Sequence, residues 1–215
     1  MSWEVRTMGS GTSYFNMTLF RKNLARFWPI WGLYALIWVV LLPAGVLLRR
    51  DGWDEGLARE FPLDLLNHSG NMALVLAFLF GILCAMAVFS YLYSARSVGM
   101  LHALPMRREG LFLTNYLSGL AFLWVPNFAV FLLALAAEAL NGTVVFSSLF
   151  TWLVVTCLLC LFFYSFAVFC AMFTGHILAL PAFYLILNFL AAAITYLLES
   201  IAREFLFGFN GAEWA

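Results

Sequence analysis

Between Glu138 and Glu199 the chain holds no Asp, Glu, Lys or Arg. An uncharged apolar run over residues 139–198 has no place in water. One membrane crossing takes about 20 apolar residues, so the run is long enough for two. Thr174-Gly175-His176 divides it into spans of about 145–173 and 177–198. Three further uncharged or nearly uncharged apolar segments lie upstream, at about 27–48, 72–93 and 111–137. Barrel strands are about 10 residues long and alternate in polarity, whereas these runs are longer and apolar throughout. The predicted fold is therefore all-α: one polytopic transmembrane domain of about five helices, residues 1–215.

Composition removes most other classes. The chain has 65% hydrophobic and 10% charged residues, with a mean hydropathy of +0.95. A soluble globule of 215 residues could not cover that much apolar surface. A soluble enzyme, a nucleic-acid binder and a disordered chain are all excluded. The first apolar run is too long for a secretory h-region and follows several charges, so it reads as a retained anchor. No Walker A, HExxH or G-x-S-x-G motif is present, which predicts a chain that is not itself an ATPase or hydrolase. Cys84, Cys157, Cys160 and Cys170 all fall inside apolar runs and read as small apolar packing groups rather than a disulfide or metal framework.

Basic residues orient the chain. With the N-terminus cytoplasmic, Arg6, Arg21, Lys22, Arg26, Arg96, Arg107 and Arg108 lie inside, against Arg49, Arg50, Arg59 and Arg203 outside. Of the acids only Glu4 and Glu109 fall inside, and Glu138 is placed just beyond the third span on the outer side. The expected location is the cell membrane, multi-pass. The tail from Glu199 carries Ile201, Phe205, Leu206 and Phe209 on one face and reads as an interfacial or re-entrant segment.

Two cytoplasmic features stand out. Residues 12–27 place Met17, Phe20, Leu24 and Phe27 at helical spacing, with Asn16, Asn23 and Arg26 off that stripe. Arg21 and Lys22 are placed to snorkel to phosphate head groups. The segment reads as an amphipathic interfacial helix on the lipid bilayer, with Thr12 or Ser13 as its N-cap. The second feature is the 94–110 loop. Its centre is apolar at Val98, Met100, Leu101 and Leu104, it is interrupted by Pro105, and Arg96, Arg107 and Arg108 flank it. Such a loop is suited to rest on the membrane or to enter a groove on a partner.

Residues 94–120, SARSVGMLHALPMRREGLFLTNYLSGL, resemble the permease subunits of bacterial ABC-2 type exporters, in particular the group tied to peptide sensing and antibiotic resistance. That group has an LPxxR segment leading into a tNYxSG-like helix start. The matching positions here are Leu104, Pro105 and Arg108, then Thr114, Asn115, Tyr116, Ser118 and Gly119. The resemblance implies that the loop is a coupling helix contacting a separate ATPase subunit through Val98, Met100, Leu101, His102, Leu104, Pro105, Met106, Arg107 and Arg108. ATP and Mg would sit on that ATPase, and no cofactor on this chain. It also implies a second permease copy or homologue. Family members have six spans per permease half, so the likeness implies either a sixth helix after residue 215 or a half-size member. The competing reading of the same loop is a non-transporting anchoring, assembly or sensor-associated subunit.

Few other polar residues offer chemistry. His68, His102 and His176 fall on opposite sides by this topology and cannot share a metal. Glu199 and Arg203 read as an i,i+4 pair. Asn127, after Pro126 in the third span, and Asn188 in the fifth are the deepest strong hydrogen-bonding side chains. They are candidates for interhelical or substrate contact, and Asn127 also for the carbonyls that Pro126 frees. Asn67 and Asn141 head glycosylation sequons, which would be meaningless in a bacterial protein.

Overall fold

The computed structural model describes residues 15–49, 52–67, 71–93 and 108–205. Eight α-helices occur among them, with no strand: α1 (Met17–Arg26), α2 (Trp28–Leu41), α3 (Pro43–Leu48), α4 (Glu55–Asn67), α5 (Met72–Phe89), α6 (Arg108–Asn141), α7 (Phe146–Phe173) and α8 (Ala179–Phe205). A short 3-10 turn, Ser90–Tyr93, prolongs α5. Five stretches are long and apolar enough to cross a membrane: Trp28–Leu48, Met72–Tyr93, Glu109–Asn141, Phe146–Phe173 and Ala179–Ala202. The protein is an all-α, multi-pass membrane protein.

Its exterior identifies its solvent. Leu33, Leu36 and Val40 of α2, Leu79 and Leu83 of α5, Phe128 and Leu132 of α6, and Leu158 and Phe162 of α7 all point outward. A surface so uniformly apolar is stable only against lipid. The inward stripes follow helical spacing. In α2 and α3, Tyr34, Trp38, Leu42 and Val46 recur every four residues and are fully buried, facing α6.

The tightest helix pair is α5 with α7. On α5, Ala73, Ala77, Gly81 and Ala85 recur every four residues, all buried. This small-residue stripe lets two backbones approach, which is how helices associate where no hydrophobic drive exists between them. Opposite it, α7 buries Leu153, Thr156, Cys160, Phe163, Ala167 and Cys170 at alternating spacings of three and four, a coiled-coil-like seam. A Cβ added at Gly81 would lie 3.1 Å from the backbone of Phe163 and Tyr164.

Several sequence expectations need correction. The first span is not one rod. Pro43 starts a new helix, α3, because its ring cannot continue α2. The third span runs beyond Ala137 to Asn141, so Glu138 belongs to the helix and is fully buried rather than outside it. The fifth span begins two residues later than expected, at Ala179, and continues as helix through Glu199 and Glu204 to Phe205; the tail beyond lies outside the described residues. The interfacial helix starts at Met17, capped by Asn16, whose Oδ1 accepts the Leu19 N–H at 3.0 Å, rather than by Thr12 or Ser13. Arg108 opens α6 instead of closing the preceding loop.

Helix α4 was missed. Asp54 caps it by accepting the Leu57 N–H at 2.7 Å. Ala58, Phe61, Pro62 and Leu65 form its buried face, packed on α7 and α5, while Glu55, Arg59, Glu60 and Asp64 stay exposed. Phe61 meets the Trp53 ring edge-on and lies beneath the Arg49 guanidinium, 4.5 Å from its ring centre.

The α5–α7 contact yields a test. Gly81→Val should lower stability by about 1–3 kcal/mol, seen as a lower thermal midpoint of the purified chain in detergent. Gly175→Ala, where an added Cβ meets nothing within 4 Å, should leave the midpoint unchanged. An equal effect of both would remove the close approach as the cause.

Candidate functional site

Seven polar or charged residues are fully or almost fully buried among the described residues, and five of them are on α6: Thr114, Asn115, Ser118, Asn127 and Glu138. Asn127 and Glu138 are 11 residues apart, close to three helical turns, so they share the face that meets α2, α3 and α7. A series of buried polar side chains therefore runs along α6 through an apolar bundle. It has three stations.

The first is the end of the bundle where α1 lies. Asn16 N–H donates to Thr114 Oγ1 at 3.0 Å, and the Thr114 hydroxyl donates back to Gly110 C=O at 2.7 Å. Asn23 Nδ2 donates to Asn115 Oδ1 at 2.9 Å and reaches Ser118 Oγ at 3.4 Å. The Asn side of α1, expected to face away from the membrane, is thus its docking face onto α6. Of the interfacial residues, Met17, Arg21 and Lys22 are exposed, Phe20 is half-buried and pairs with the Phe15 ring, and Leu24 and Phe27 pack on the core. Trp31 Nε1 donates to Leu24 C=O at 3.1 Å and joins α2 to α1.

Directly beneath, α6 is keyed to α7. Tyr164 O–H donates to Tyr116 C=O at 3.0 Å, and the Tyr116 hydroxyl is bonded to Ser165 Oγ at 2.8 Å. A side chain at Gly119 would collide with the Tyr164 ring and hydroxyl. Thr114, Asn115, Tyr116, Ser118 and Gly119, the helix-start part of the motif noted in the sequence, thus all serve one joint between α1, α6 and α7.

The second station is mid-bundle. Tyr34 O–H donates to Asn127 Oδ1 at 2.9 Å, and Tyr34 Oη lies 3.3 Å from Cys160 Sγ. Asn127 Nδ2 points at Cys157 and Cys160 sulfurs at 3.7 and 3.9 Å, long contacts to weak acceptors. One amide thus links α2, α6 and α7. Pro126 sits inside α6 without ending it. Asn188, by contrast, donates to Tyr184 C=O of its own helix at 2.8 Å. It lines an apolar groove of about 330 Å³ with Leu74, Phe78, Phe163 and Phe189, between α5, α7 and α8.

The third station is the opposite end. Asn141 Nδ2 donates to Val46 C=O at 3.0 Å, and Glu138 Oε2 accepts the Val145 N–H at 2.9 Å. Between the second and third stations, Trp38 and Trp152 meet edge-on with ring centres 4.8 Å apart. Their indole N–H groups and the Thr156 hydroxyl are buried without a hydrogen-bond partner.

Val98, Met100, Leu101, His102, Leu104, Pro105, Met106 and Arg107 lie outside the described residues, as does His68. His176 Nδ1 accepts the Leu178 N–H in the turn between α7 and α8. Among the described residues no three His, Cys, Asp or Glu side chains gather as a metal-ligand set. Tyr34, Asn23, Tyr164 and Glu138 were missed as site residues. Glu138 had a sequence signal, its 11-residue spacing from Asn127.

The fold and seam define a helical membrane protein with a polar interface built on one long helix. Family models, curated proteins and solved structures give no match to the chain.

The mid-bundle station is testable by a double-mutant cycle. Tyr34→Phe should destabilise by about 1–2 kcal/mol, because Asn127 Oδ1 then has no donor in a region without water. In an Asn127→Leu background the same change should cost little, giving a coupling of about 1 kcal/mol in reversible unfolding. Additive effects would show that the bond contributes nothing.

Proposed function

We propose that the chain is the membrane-spanning permease subunit of an ATP-driven exporter of the ABC-2 type, set in the cell membrane with its N-terminus cytoplasmic. A separate ATPase engages the loop at 97–106, and that ATPase carries ATP and Mg and performs the hydrolysis. A second permease copy or homologue completes the translocation unit.

The observation that carries this reading is the joint between α1 and the first turns of α6, made by Asn16 with Thr114 and Asn23 with Asn115. The loop runs directly into α6. Force delivered there acts on a helix of 34 residues, about 50 Å long, to which the interfacial helix is already bonded. α1 and α6 would move together, and the seam from Asn115 to Glu138 lies along the interface that such a movement would shear. The motif resemblance supports the same assignment, since its helix-start residues build this joint. The many outward aromatic and aliphatic side chains suit lipid and amphiphilic cargo alike.

The reading is tested by purifying the tagged chain from its native membrane in mild detergent and identifying what stays bound. An ATPase bearing a Walker A motif should co-purify from wild type and be lost on Leu101→Asp or Leu104→Asp, with the variant chain still present in the membrane. Recovery of the chain alone, or with a sensor kinase or assembly factor, would make it an anchoring subunit instead.

A further inference from the structure

A cavity of about 110 Å³ lies where α1 meets the end of α5 and the start of α6. Asn23 and Arg26 of α1, Ala87 of α5, Tyr91 of the turn after it and Asn115 of α6 all line it. Its volume holds about three or four waters, or one phosphate group in their place. Two of its polar side chains keep donors to spare. Arg26 pairs with no carboxylate among the described residues, and its guanidinium lies 5.2 Å from the centre of the Phe27 ring. Asn115 Oδ1 accepts from Asn23 Nδ2 at 2.9 Å, which leaves the Asn115 Nδ2 to donate. Ser90, also on the lining, is spent on Ala87 C=O at 2.9 Å.

Charge and depth narrow what this cavity suits. Arg21, Lys22 and Arg26 stand at this end of the bundle against one described carboxylate, Glu109, and none of them forms an ion pair with it. Cations at the opposite end are engaged: Arg49 with Gly45 C=O and the Phe61 ring, Arg59 with Glu55. Trp28 and Trp31 open α2 at the cavity's level, and Tyr91 and Tyr93 close α5 there. Trp and Tyr gather where a bilayer meets water, the depth at which phospholipid phosphates lie. From the cavity α5 also offers a track into the hydrocarbon. Leu79 and Leu83 are exposed, and Ala87, the next residue at the same four-residue step, lines the cavity. A free anion would make no use of that track.

We propose that this cavity binds the head group of an anionic phospholipid. Arg26 takes the phosphate, because its planar fork of donors matches two phosphate oxygens at once. Asn115 Nδ2 and the Tyr91 hydroxyl supply further donors, and an acyl chain lies along Leu83 and Leu79. The surplus of positive charge selects a lipid with a net negative charge over a zwitterionic one, whose own cation would meet Arg21 and Lys22. Those two side chains are exposed and do not line the cavity, so they attract anionic lipid without fixing it. A head group held by α1, α5 and α6 together would fasten the interfacial helix to the bundle. The site does not rest on the transporter reading.

The test is native mass spectrometry of the purified full-length chain, titrated in detergent with phosphatidylglycerol or with phosphatidylcholine of the same acyl chains. Wild type should retain one phosphatidylglycerol in preference to phosphatidylcholine. Arg26→Gln should weaken phosphatidylglycerol binding about tenfold, the loss of a charge-assisted contact, and leave phosphatidylcholine binding as it was. Lys22→Gln removes the same charge from the same helix but outside the cavity, and should change the binding far less. Ala87→Leu keeps every charge and fills the cavity, so it should also lose the preference. Equal retention of the two lipids by wild type would overturn the site. So would equal losses in Lys22→Gln and Arg26→Gln, which would mean diffuse attraction only. Displacement of the lipid by inorganic phosphate would overturn it too, by making the cavity a free-anion site. Should Arg26→Gln not fold, undiminished phosphatidylglycerol binding in Ala87→Leu would be equally decisive against it.

Discussion

The hydrogen bond from Tyr34 to Asn127 sets the terms for the rest of the bundle. An amide in the middle of a lipid-embedded helix cannot turn to water, so it must find partners on other helices or bear the full penalty of desolvation. Asn127 finds Tyr34 on α2 and the Cys157 and Cys160 sulfurs on α7. Rotating α6 about its axis would strand the amide in hydrocarbon. Sliding it by one residue would do the same at Asn115 and Asn141, whose partners are equally fixed. Apolar packing alone tolerates such slips, because lipid is as good a neighbour as leucine. Polar stations at both ends and the centre of one helix do not.

The two halves of the structure are held by different means. Between α5 and α7 the contact is steric, built on Ala73, Ala77, Gly81 and Ala85, and it gains from dispersion over closely approached backbones. Between α6 and its neighbours the contact is polar and discrete. A steric seam resists separation but allows small sliding, while a hydrogen-bonded seam has a limited number of registers. Helix α7 belongs to both seams, through Phe163 toward α5 and through Tyr164 toward α6. A displacement of α6 would therefore have to break bonds to α7 or carry it along against α5.

The sequence yields the membrane class because an uncharged run of sixty residues has one physical solution. Span centres are equally legible, since hydropathy is a sum over many residues. Ends are not. Pro43 divides the first span, and Glu138 extends the third, because the local decision at each place depends on a single ring or a single bond. Helix α4 was legible in principle: Ala58, Phe61 and Leu65 carry helical spacing against Glu55, Arg59 and Asp64. The many charges of that stretch keep it out of any apolar run, and a search for spans passes over it. At the candidate site, Asn127 could be named from depth alone. Asn23 could not, because an amide on the polar side of an amphipathic helix looks identical whether it faces water or another helix.

Glu138 shows why the same reasoning misleads at a membrane boundary. A glutamate at the end of an apolar run reads as the point where water begins. Here the turn after it folds back, the Val145 amide covers one carboxylate oxygen, and Asn141 reaches across to Val46. The charge is taken out of solvent by three local contacts that hydropathy cannot register. The neighbouring Trp38, Trp152 and Thr156 deepen the effect, since their buried polar atoms also lack partners on the same interface. The amide oxygens of Asn115 and Asn127 each find a donor on another helix, whereas Trp38, Glu138, Asn141 and Trp152 keep a partnerless polar atom. That asymmetry is a matter of position along the helix axis, which a sum of hydropathies cannot register.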